Sequence, residues 1–161
     1  MIILVIGVSG SGKSTIGKLL ADSLNWEFSD ADSFHTQEHI EKMRHGIPLT
    51  DADREPWLQD LQAAIKQWLE GNKSVVLACS ALKASYRQML VLDGERVKLV
   101  YLKGSFQQIE QRLRSRLHHY MSPELLQSQF DTLEEPTDAI TVDISNPPEI
   151  TVQHIRARLG I

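Results

Sequence analysis

A glycine-rich segment near the amino terminus constrains the fold of this chain more than any other feature. Residues Gly7 to Ser14 match the pattern of a glycine, any four residues, and then glycine, lysine and serine or threonine. An apolar run from Ile2 to Ile6 precedes the segment, and apolar side chains at helical spacing follow it as far as Leu20. A buried strand, a tight loop and a helix in this order are typical of the phosphate-binding loop, or P-loop.

The residue types in this loop suit a nucleoside triphosphate, and we expect the nucleotide to be ATP. Glycines allow the backbone to fold so that successive N–H groups point inward, and the following helix adds positive potential at its amino terminus. Lys13 would reach the β- and γ-phosphates, and the Ser14 hydroxyl would bind Mg²⁺ within an octahedral shell of oxygens. The predicted nucleotide-binding residues are Gly7, Val8, Ser9, Gly10, Ser11, Gly12, Lys13, Ser14 and Thr15.

Short β-branched runs alternate along the chain with longer stretches of helical periodicity. This alternation predicts the α/β class, with helices on both faces of a parallel sheet. The predicted strands are Ile2–Ile6, Trp26–Ser29, Ser74–Cys79, Val97–Leu102 and Ala139–Ile144. The predicted helices are Lys13–Leu24, Thr36–Arg44, Asp53–Glu70, Leu82–Leu92, Phe106–Leu117, Pro123–Leu133 and Pro148–Leu159.

Length and composition narrow the class of protein further. A chain of 161 residues fits one domain around one core, and we expect a single P-loop kinase domain over residues 1–161. A net charge of −4 and a pI near 5.8 argue against nucleic acid and against an anionic membrane as partners. The single cysteine, Cys79, cannot form an internal disulfide. We therefore expect a cytoplasmic protein.

Other motifs distinguish a kinase from the switches and motors that share this loop. No Asp-x-x-Gly switch occurs, and the segment from Asn72 to Val75 lacks the final aspartate of a guanine reader. The third predicted strand is followed by Ser80 rather than by the acid that many motor ATPases place there. Two acids, Asp30 and Asp32, instead follow the second predicted strand. One could organise Mg²⁺ and its waters, and the other could accept a proton from a substrate hydroxyl.

A second polar group precedes the long third helix. One of the two acids, Asp51 or Asp53, is expected to cap the amino terminus of that helix. Arg54 differs, because its planar guanidinium could bind a substrate carboxylate through two parallel hydrogen bonds. Arg54 is therefore the candidate residue for contact with an anionic substrate.

Several segments are specific in combination, namely Asp30–His35, Ile40–Met43, Gly46–Leu49, Asp53–Leu58, Cys79–Lys83, Tyr101–Gly104, Gln129–Phe130, Thr132–Glu134 and Pro136. Together with the P-loop they resemble the gluconokinase family, from about residue 3 to about residue 144. The resemblance implies ATP-dependent phosphorylation of D-gluconate at its 6-hydroxyl. It also implies a nucleoside-monophosphate-kinase-like fold with strand order 2-3-1-4-5 and, often, a homodimer.

The resemblance also implies roles for individual residues. Asp32 would bind the reacting hydroxyl and is the candidate base, and Asp30 would hold a water bound to Mg²⁺. His35, Arg54 and Lys83 would bind the sugar acid. The alternatives are a structural loop histidine at His35 and a solvated helix residue at Lys83. Cys79 is interpreted as core packing at the end of a strand.

The region of approximately residues 112–123 is where kinases of this fold carry a mobile lid. Arg112 and Arg116 share a predicted helical face, where like charges repel unless an anion lies between them. We expect one or both to stabilise the transferring phosphoryl group, the alternative being solvated charges. The family commonly has Gly-His-Phe where this chain has His118, His119 and Tyr120. The missing glycine bears on how fast the lid moves and not on the reaction. The adjacent histidines are weak evidence for a zinc site, and we expect none.

Two alternative functions stay open at this point. One keeps the chemistry and changes the acceptor to shikimate or another small hydroxy acid, because sister kinases share the loop and the two acids. The other is a nucleotide-binding regulatory protein with little transfer activity, which the presence of Lys13, Ser14 and Asp32 argues against.

Overall fold

A five-stranded parallel sheet forms the centre of the computed structural model, which describes residues 1–115 and 122–161. The order of the strands across the sheet is β2-β3-β1-β4-β5, and every pairing is parallel. The α/β class and the strand order that the resemblance implied are therefore confirmed. The strands are β1 (Ile2–Ile6), β2 (Glu27–Asp30), β3 (Val75–Ala78), β4 (Val97–Lys103) and β5 (Ile140–Asp143).

The helices in the described part of the chain cover both faces of this sheet. A short 3-10 helix, Ala31–Phe34, follows β2 and was not predicted from the sequence. Within the described residues, every helix is too short or too polar to span a lipid bilayer. The α-helices are α1 (Lys13–Leu24), α2 (Gln37–Arg44), α3 (Asp51–Glu70), α4 (Ala84–Leu90), α5 (Phe106–Arg114), α6 (Pro123–Thr132) and α7 (Pro148–Leu159).

The central strand β1 is enclosed on both faces. All of its residues are buried, and it pairs with β3 on one side and β4 on the other. Ile3 belongs to an apolar cluster that includes Leu20 of α1 and Ile155 of α7. Leu4 belongs to a second cluster, on the opposite face, that includes Leu61 of α3. A strand covered on both faces needs apolar residues at successive positions, which explains its continuous apolar sequence.

Most differences between prediction and structure lie at the ends of helices. The predicted bounds of β1, α1 and α7 are confirmed, whereas α5 ends at Arg114 rather than at Leu117. The helix predicted from Leu82 begins at Ala84 instead. Ala81 has a φ of +39°, which a right-handed helix does not accommodate, so the chain cannot enter the helix before this turn is complete.

The long helix α3 begins at Asp51 rather than at Asp53 because Thr50 caps it. Thr50 Oγ1 accepts a hydrogen bond from the Asp53 N–H at 3.1 Å, and the Asp53 carboxylate accepts one from the Thr50 N–H at 3.0 Å. This reciprocal capping box satisfies two N–H groups that the first turn would otherwise leave unpaired. Lys42 of α2 also donates to Asp53 at 3.1 Å. The prediction that one of the two acids caps this helix is confirmed for Asp53.

Helix α1 packs closely against the sheet at Gly17. A Cβ at this position would lie 2.6 Å from the Phe28 ring on β2. We expect Gly17→Ala to lower the free energy of unfolding by about 1 to 3 kcal/mol, because overpacking outweighs the better helix propensity of alanine. Urea unfolding measures the change, with Asp22→Ala at an exposed position of the same helix as the control. A more stable Gly17→Ala variant would contradict the close packing.

Candidate active site

The P-loop joins the buried end of β1 to the first turn of α1. Gly10 and Gly12 have φ values of 82° and 98°, in the left-handed region that favours glycine. A Cβ on Gly10 would also lie 3.0 Å from Leu113 of α5, so the loop packs closely under that helix. Helix α1 begins at Lys13, and no side chain of the described residues caps its first turn. Its terminal N–H groups are therefore available to an anion.

Ser14 and Asp30 bring a hydroxyl and a carboxylate together beside the P-loop. Ser14 Oγ donates to Asp30 Oδ2 at 2.7 Å, and Asp30 Oδ1 accepts from the Asp32 N–H at 2.9 Å. These oxygen donors suit Mg²⁺, which prefers few protein ligands and completes its shell with waters and phosphate oxygens. Within residues 1–115 and 122–161, no group of three or more acids, histidines or cysteines is arranged for a metal. The donor set therefore fits Mg²⁺ shared with a phosphate ligand.

A cavity that we call the Asp32 cavity lies where β1, β2 and β3 end. Parallel neighbouring strands bring their following loops to one edge of a sheet, and this edge is where ligands bind in open α/β sheets. The volume of the cavity is about 40 Å³, which is room for little more than one water molecule. The lining residues are Ser9, Lys13, Asp32, His35, Met43, Leu49, Arg54, Trp57, Ser80, Leu82, Leu125, Ser128 and Gln129.

His35 lies in the wall of this cavity with its ring stacked on Trp57. The ring centroids are 4.4 Å apart and the planes differ by 10°. Trp57 is itself fixed, because its Nε1–H donates to the Ala31 carbonyl at 2.8 Å. Burial, followed by the positive potentials of His39 and Arg54, lowers the pKa of His35 from 6.5 to about 4. The ring is therefore neutral at pH 7, and its Nδ1 is buried without a hydrogen-bond partner among the described residues.

The two basic residues predicted to bind substrate occupy different positions. Arg54 lines the Asp32 cavity, as His35 does. Lys83 does not line it in this structure, since its ammonium group lies 2.9 Å from the Asp51 carboxylate. Hydrogen bonding from Tyr86 and, to a smaller extent, from Lys83 also lowers the pKa of Asp51. Lys83 therefore contacts an acid of the protein rather than the cavity.

A second cavity, which we call the Asn146 cavity, is lined in part by Ser11 and Gly12 of the P-loop. Its volume is about 270 Å³, and its lining includes Thr15, Arg112, Asn146 and Pro148. Arg112 donates to the carbonyl of Ile144 at 2.5 Å and to that of Ser11 at 3.4 Å. Its guanidinium therefore bridges the P-loop and the segment after β5. The size and position of this cavity suit a nucleoside attached to phosphates in the P-loop.

The predicted lid is only partly described. Arg112 is placed at the Asn146 cavity and not at the Asp32 cavity. Arg116 and the sequence His118, His119 and Tyr120 lie outside the described residues. The role of Arg112 and Arg116 at the transferring phosphoryl group stays a prediction.

Gln129 of α6 is a site residue that the sequence analysis named only as part of the family resemblance, without a role in the site. Its Oε1 accepts a hydrogen bond from the Ser9 N–H at 2.8 Å, and its Nε2 lies 3.4 Å from Ser9 Oγ. The third residue of the P-loop is thus held by a helix 120 positions away. One signal was present in the sequence. Gln129 lies four positions after the buried Leu125, so it is a polar residue on the inward face of an amphipathic helix.

Comparison with protein families agrees with this geometry. The family model described as shikimate kinase matches residues 9–157. The match covers the P-loop from Ser9 onward, both Ser14 and Asp30, and strands β2 to β5 of the sheet. The chain is therefore a P-loop kinase of the shikimate-kinase-like group.

Individual relatives define the family within that group. A probable gluconokinase of Mus musculus is 45% identical, with 97% of this chain and 96% of the relative covered. A solved sugar kinase of Janibacter sp. HTCC2649 superposes with a TM-score of 0.92 at 41% identity, covering 99% of this chain and 94% of that chain. A gluconokinase of Sinorhizobium meliloti 1021 gives 0.85 at 42% identity, covering 98% and 90%. The chain belongs to the gluconokinase family.

The lowered pKa of His35 predicts how the stability of the protein depends on pH. Below its unfolded-state pKa, near 6.5, the unfolded chain takes up a proton that the folded ring does not bind until about pH 4. His35 therefore costs stability as the pH falls through this window. We expect the stability difference between wild type and His35→Asn to shift in favour of the variant between pH 7.5 and 5.

Urea unfolding at both pH values measures this shift. The exposed His154, changed to asparagine, controls for the general effect of removing one histidine. A constant difference between wild type and His35→Asn would show that the folded ring titrates normally, and a shift in favour of wild type in acid would show that folding raises its pKa. Either result would contradict the prediction.

Proposed function

We propose that the protein transfers the γ-phosphoryl group of ATP to the 6-hydroxyl of D-gluconate. The observation that carries the proposal is that Lys13 of the P-loop, Asp32 and Arg54 line one cavity. This combination places a phosphate-binding lysine, an acceptor of protons and a carboxylate-binding guanidinium around one substrate. Membership of the gluconokinase family supports gluconate as that substrate.

The proposed mechanism rests on positioning and on charge neutralisation. The backbone N–H groups of Gly7 to Thr15 and the Lys13 ammonium hold the phosphates. The 6-hydroxyl oxygen bonds to the γ-phosphorus as the bond from that phosphorus to the β,γ-bridging oxygen breaks, and ADP leaves. Asp32 aligns the hydroxyl and takes its proton. Arg54 binds the gluconate carboxylate, and His35, neutral at pH 7, binds a hydroxyl of the sugar acid.

Ser14 would hold Mg²⁺ directly, and Asp30 would hold it through a water. When bound, it would offset the negative charge that the β- and γ-phosphates carry. Ser14 and Asp30 already hold each other at 2.7 Å, so the protein side of the site is assembled by the fold.

Further parts of the proposal concern the surroundings of the site. Arg112 and Arg116 act within a lid, approximately residues 112–123, that excludes water so that ATP is not simply hydrolysed. The contact of Arg112 with the Ser11 carbonyl supports a position close to the phosphates. Lys83 can contact the substrate only if gluconate binding breaks its salt bridge with Asp51. The chain acts as one kinase domain over residues 1–161, in the cytoplasm, and can form a homodimer.

A second candidate changes the acceptor to shikimate. The family model described as shikimate kinase favours it. Shikimate and gluconate both carry one carboxylate and several hydroxyl groups, so the pairing of Arg54 with an acid suits either acceptor. The identity to gluconokinases is higher than the identity to the solved shikimate kinases, and this favours gluconate.

A coupled assay with ATP and Mg²⁺ distinguishes these acceptors. We expect D-gluconate to give 6-phosphogluconate, detected by its dehydrogenase, while shikimate and glucose release little ADP. Product from shikimate in preference to gluconate would mean that shikimate is the acceptor, while the proposed phosphoryl transfer would stand. Slow ATP loss that no acceptor accelerates would favour a nucleotide-binding regulatory protein.

Asp32→Asn tests the role of the candidate base. We expect kcat to fall by about 10² to 10⁴, the usual contribution of a positioned general base, while the affinity for ATP stays close to that of wild type. Single-turnover kinetics and equilibrium ATP binding measure the two quantities. Asp22→Asn, an exposed change on α1, is the control. Unchanged turnover in Asp32→Asn would remove this residue from the mechanism.

A further inference from the structure

A polar network connects the amino-terminal turns of α3 and α4 beside Arg54. Asp51 is the first residue of α3, and Lys83 is the residue that precedes α4. Tyr86 lies in the first turn of α4, and only 6% of its surface is exposed. Arg54, one turn after Asp51, is the member of the network that lines the Asp32 cavity. We call these four residues the Tyr86 network.

The Tyr86 hydroxyl is the centre of this network. It donates to the Asp51 carboxylate, and its oxygen lies 3.2 Å from Nη1 of Arg54. The carboxylate can only accept, and the guanidinium can only donate. The phenol proton must therefore point to Asp51, which leaves the oxygen lone pair to accept from Arg54. The direction of both hydrogen bonds is fixed by the chemistry of the outer partners.

Two further contacts hold the network in place. Lys83 Nζ lies 2.9 and 3.0 Å from the two oxygens of Asp51. The Tyr86 ring lies 5.7 Å from the Arg54 guanidinium carbon and 5.6 Å from Lys83 Nζ, within range of cation–π attraction. Asp51 is thus fixed by a cation, and the phenol is fixed by Asp51 and by burial.

From these contacts we propose that Tyr86 is a positioning residue, which orients the Arg54 guanidinium so that its other N–H groups face the acceptor. The proposal rests on the assignment of Arg54 to the acceptor carboxylate. An arginine side chain has many rotamers, and binding an anion normally costs the entropy of selecting one. Tyr86 selects one in advance. Because the phenol is neutral, it does so without neutralising the charge that the carboxylate needs.

The network also gives Lys83 a role that differs from direct contact with substrate. With its ammonium paired to Asp51, Lys83 fixes the acceptor of the phenol proton. Lys83 then acts on the substrate through Asp51, Tyr86 and Arg54. This accounts for a lysine at the edge of the site that does not line the cavity.

Tyr86→Phe tests the proposal, since it keeps the ring and its packing and removes only the hydroxyl. We expect KM for gluconate to rise about threefold to tenfold, the value of one hydrogen bond, with kcat and KM for ATP nearly unchanged. Tyr101→Phe, at another buried tyrosine, on β4, is the matched control and should leave all three constants unchanged. Loss of kcat with an unchanged KM for gluconate would overturn the proposal.

A double-mutant cycle shows whether Tyr86 acts through Arg54. In an Arg54→Lys background the expected effect of Tyr86→Phe on KM for gluconate disappears, because lysine lacks the oriented guanidinium. An equal effect in both backgrounds would mean that the hydroxyl merely joins α3 to α4. Urea unfolding of each variant separates a change in binding from a change in folding.

A measurement without substrate keeps this proposal separate from the proposed function. NMR of isotope-labelled arginine side chains reports how fast the Arg54 guanidinium rotates, with Arg54→Lys used to assign the signal. We expect slow rotation in wild type and faster rotation in Tyr86→Phe. Equal rotation overturns the positioning role. Faster rotation in a protein that does not phosphorylate gluconate would leave the role standing, and the kinetic comparison would then use the acceptor that wild type does phosphorylate.

Discussion

The parallel pairing of β1 with β3 and β4 is the constraint on which the site depends. Val5 aligns with Ala78 of β3 and with Val100 of β4, so these strands end at one edge of the sheet. A slip of one residue would exchange the two apolar faces of β1, which belong to separate clusters. Burial of β1 thus fixes where the P-loop begins. The same edge receives Asp30, the last residue of β2, so the apolar interior determines where the polar groups meet.

Charges around the site are balanced by near neighbours. Asp53 forms a salt bridge with Lys42, and Asp51 forms one with Lys83. Hydrogen bonds lower the pKa of both carboxyl groups. Arg54 differs, because its hydrogen bond goes to the neutral phenol of Tyr86. A guanidinium held in this way keeps its attraction for an anion. An acidic chain can therefore present a local cationic site to a negatively charged substrate.

Local sequence signals predicted the parts of this structure that local chemistry determines. The P-loop pattern gave the bounds of β1 and α1, and the acids before Arg54 pointed to the cap of α3. Side-chain partners across the fold could not be predicted in the same way. The pairing of Lys83 with Asp51 joins residues 32 positions apart, and that of Gln129 with Ser9 joins residues 120 apart. Lys83 was expected at the substrate because the sequence shows that it is a cation. The sequence does not show which acid lies nearest to it in the fold.

The Asp32 cavity is small, and two of its lining residues, Arg54 and Gln129, are held in different parts of the fold. A volume of about 40 Å³ is smaller than a six-carbon sugar acid, so the acceptor either extends out of the cavity or separates the lining residues. Arg54 on one wall is held by Tyr86 of α4, whereas Gln129 on another wall belongs to α6 and holds the Ser9 N–H. Displacement of α6 would therefore move or release the third residue of the P-loop. An acceptor that displaced α6 would thus also change the shape of the phosphate site through that hydrogen bond.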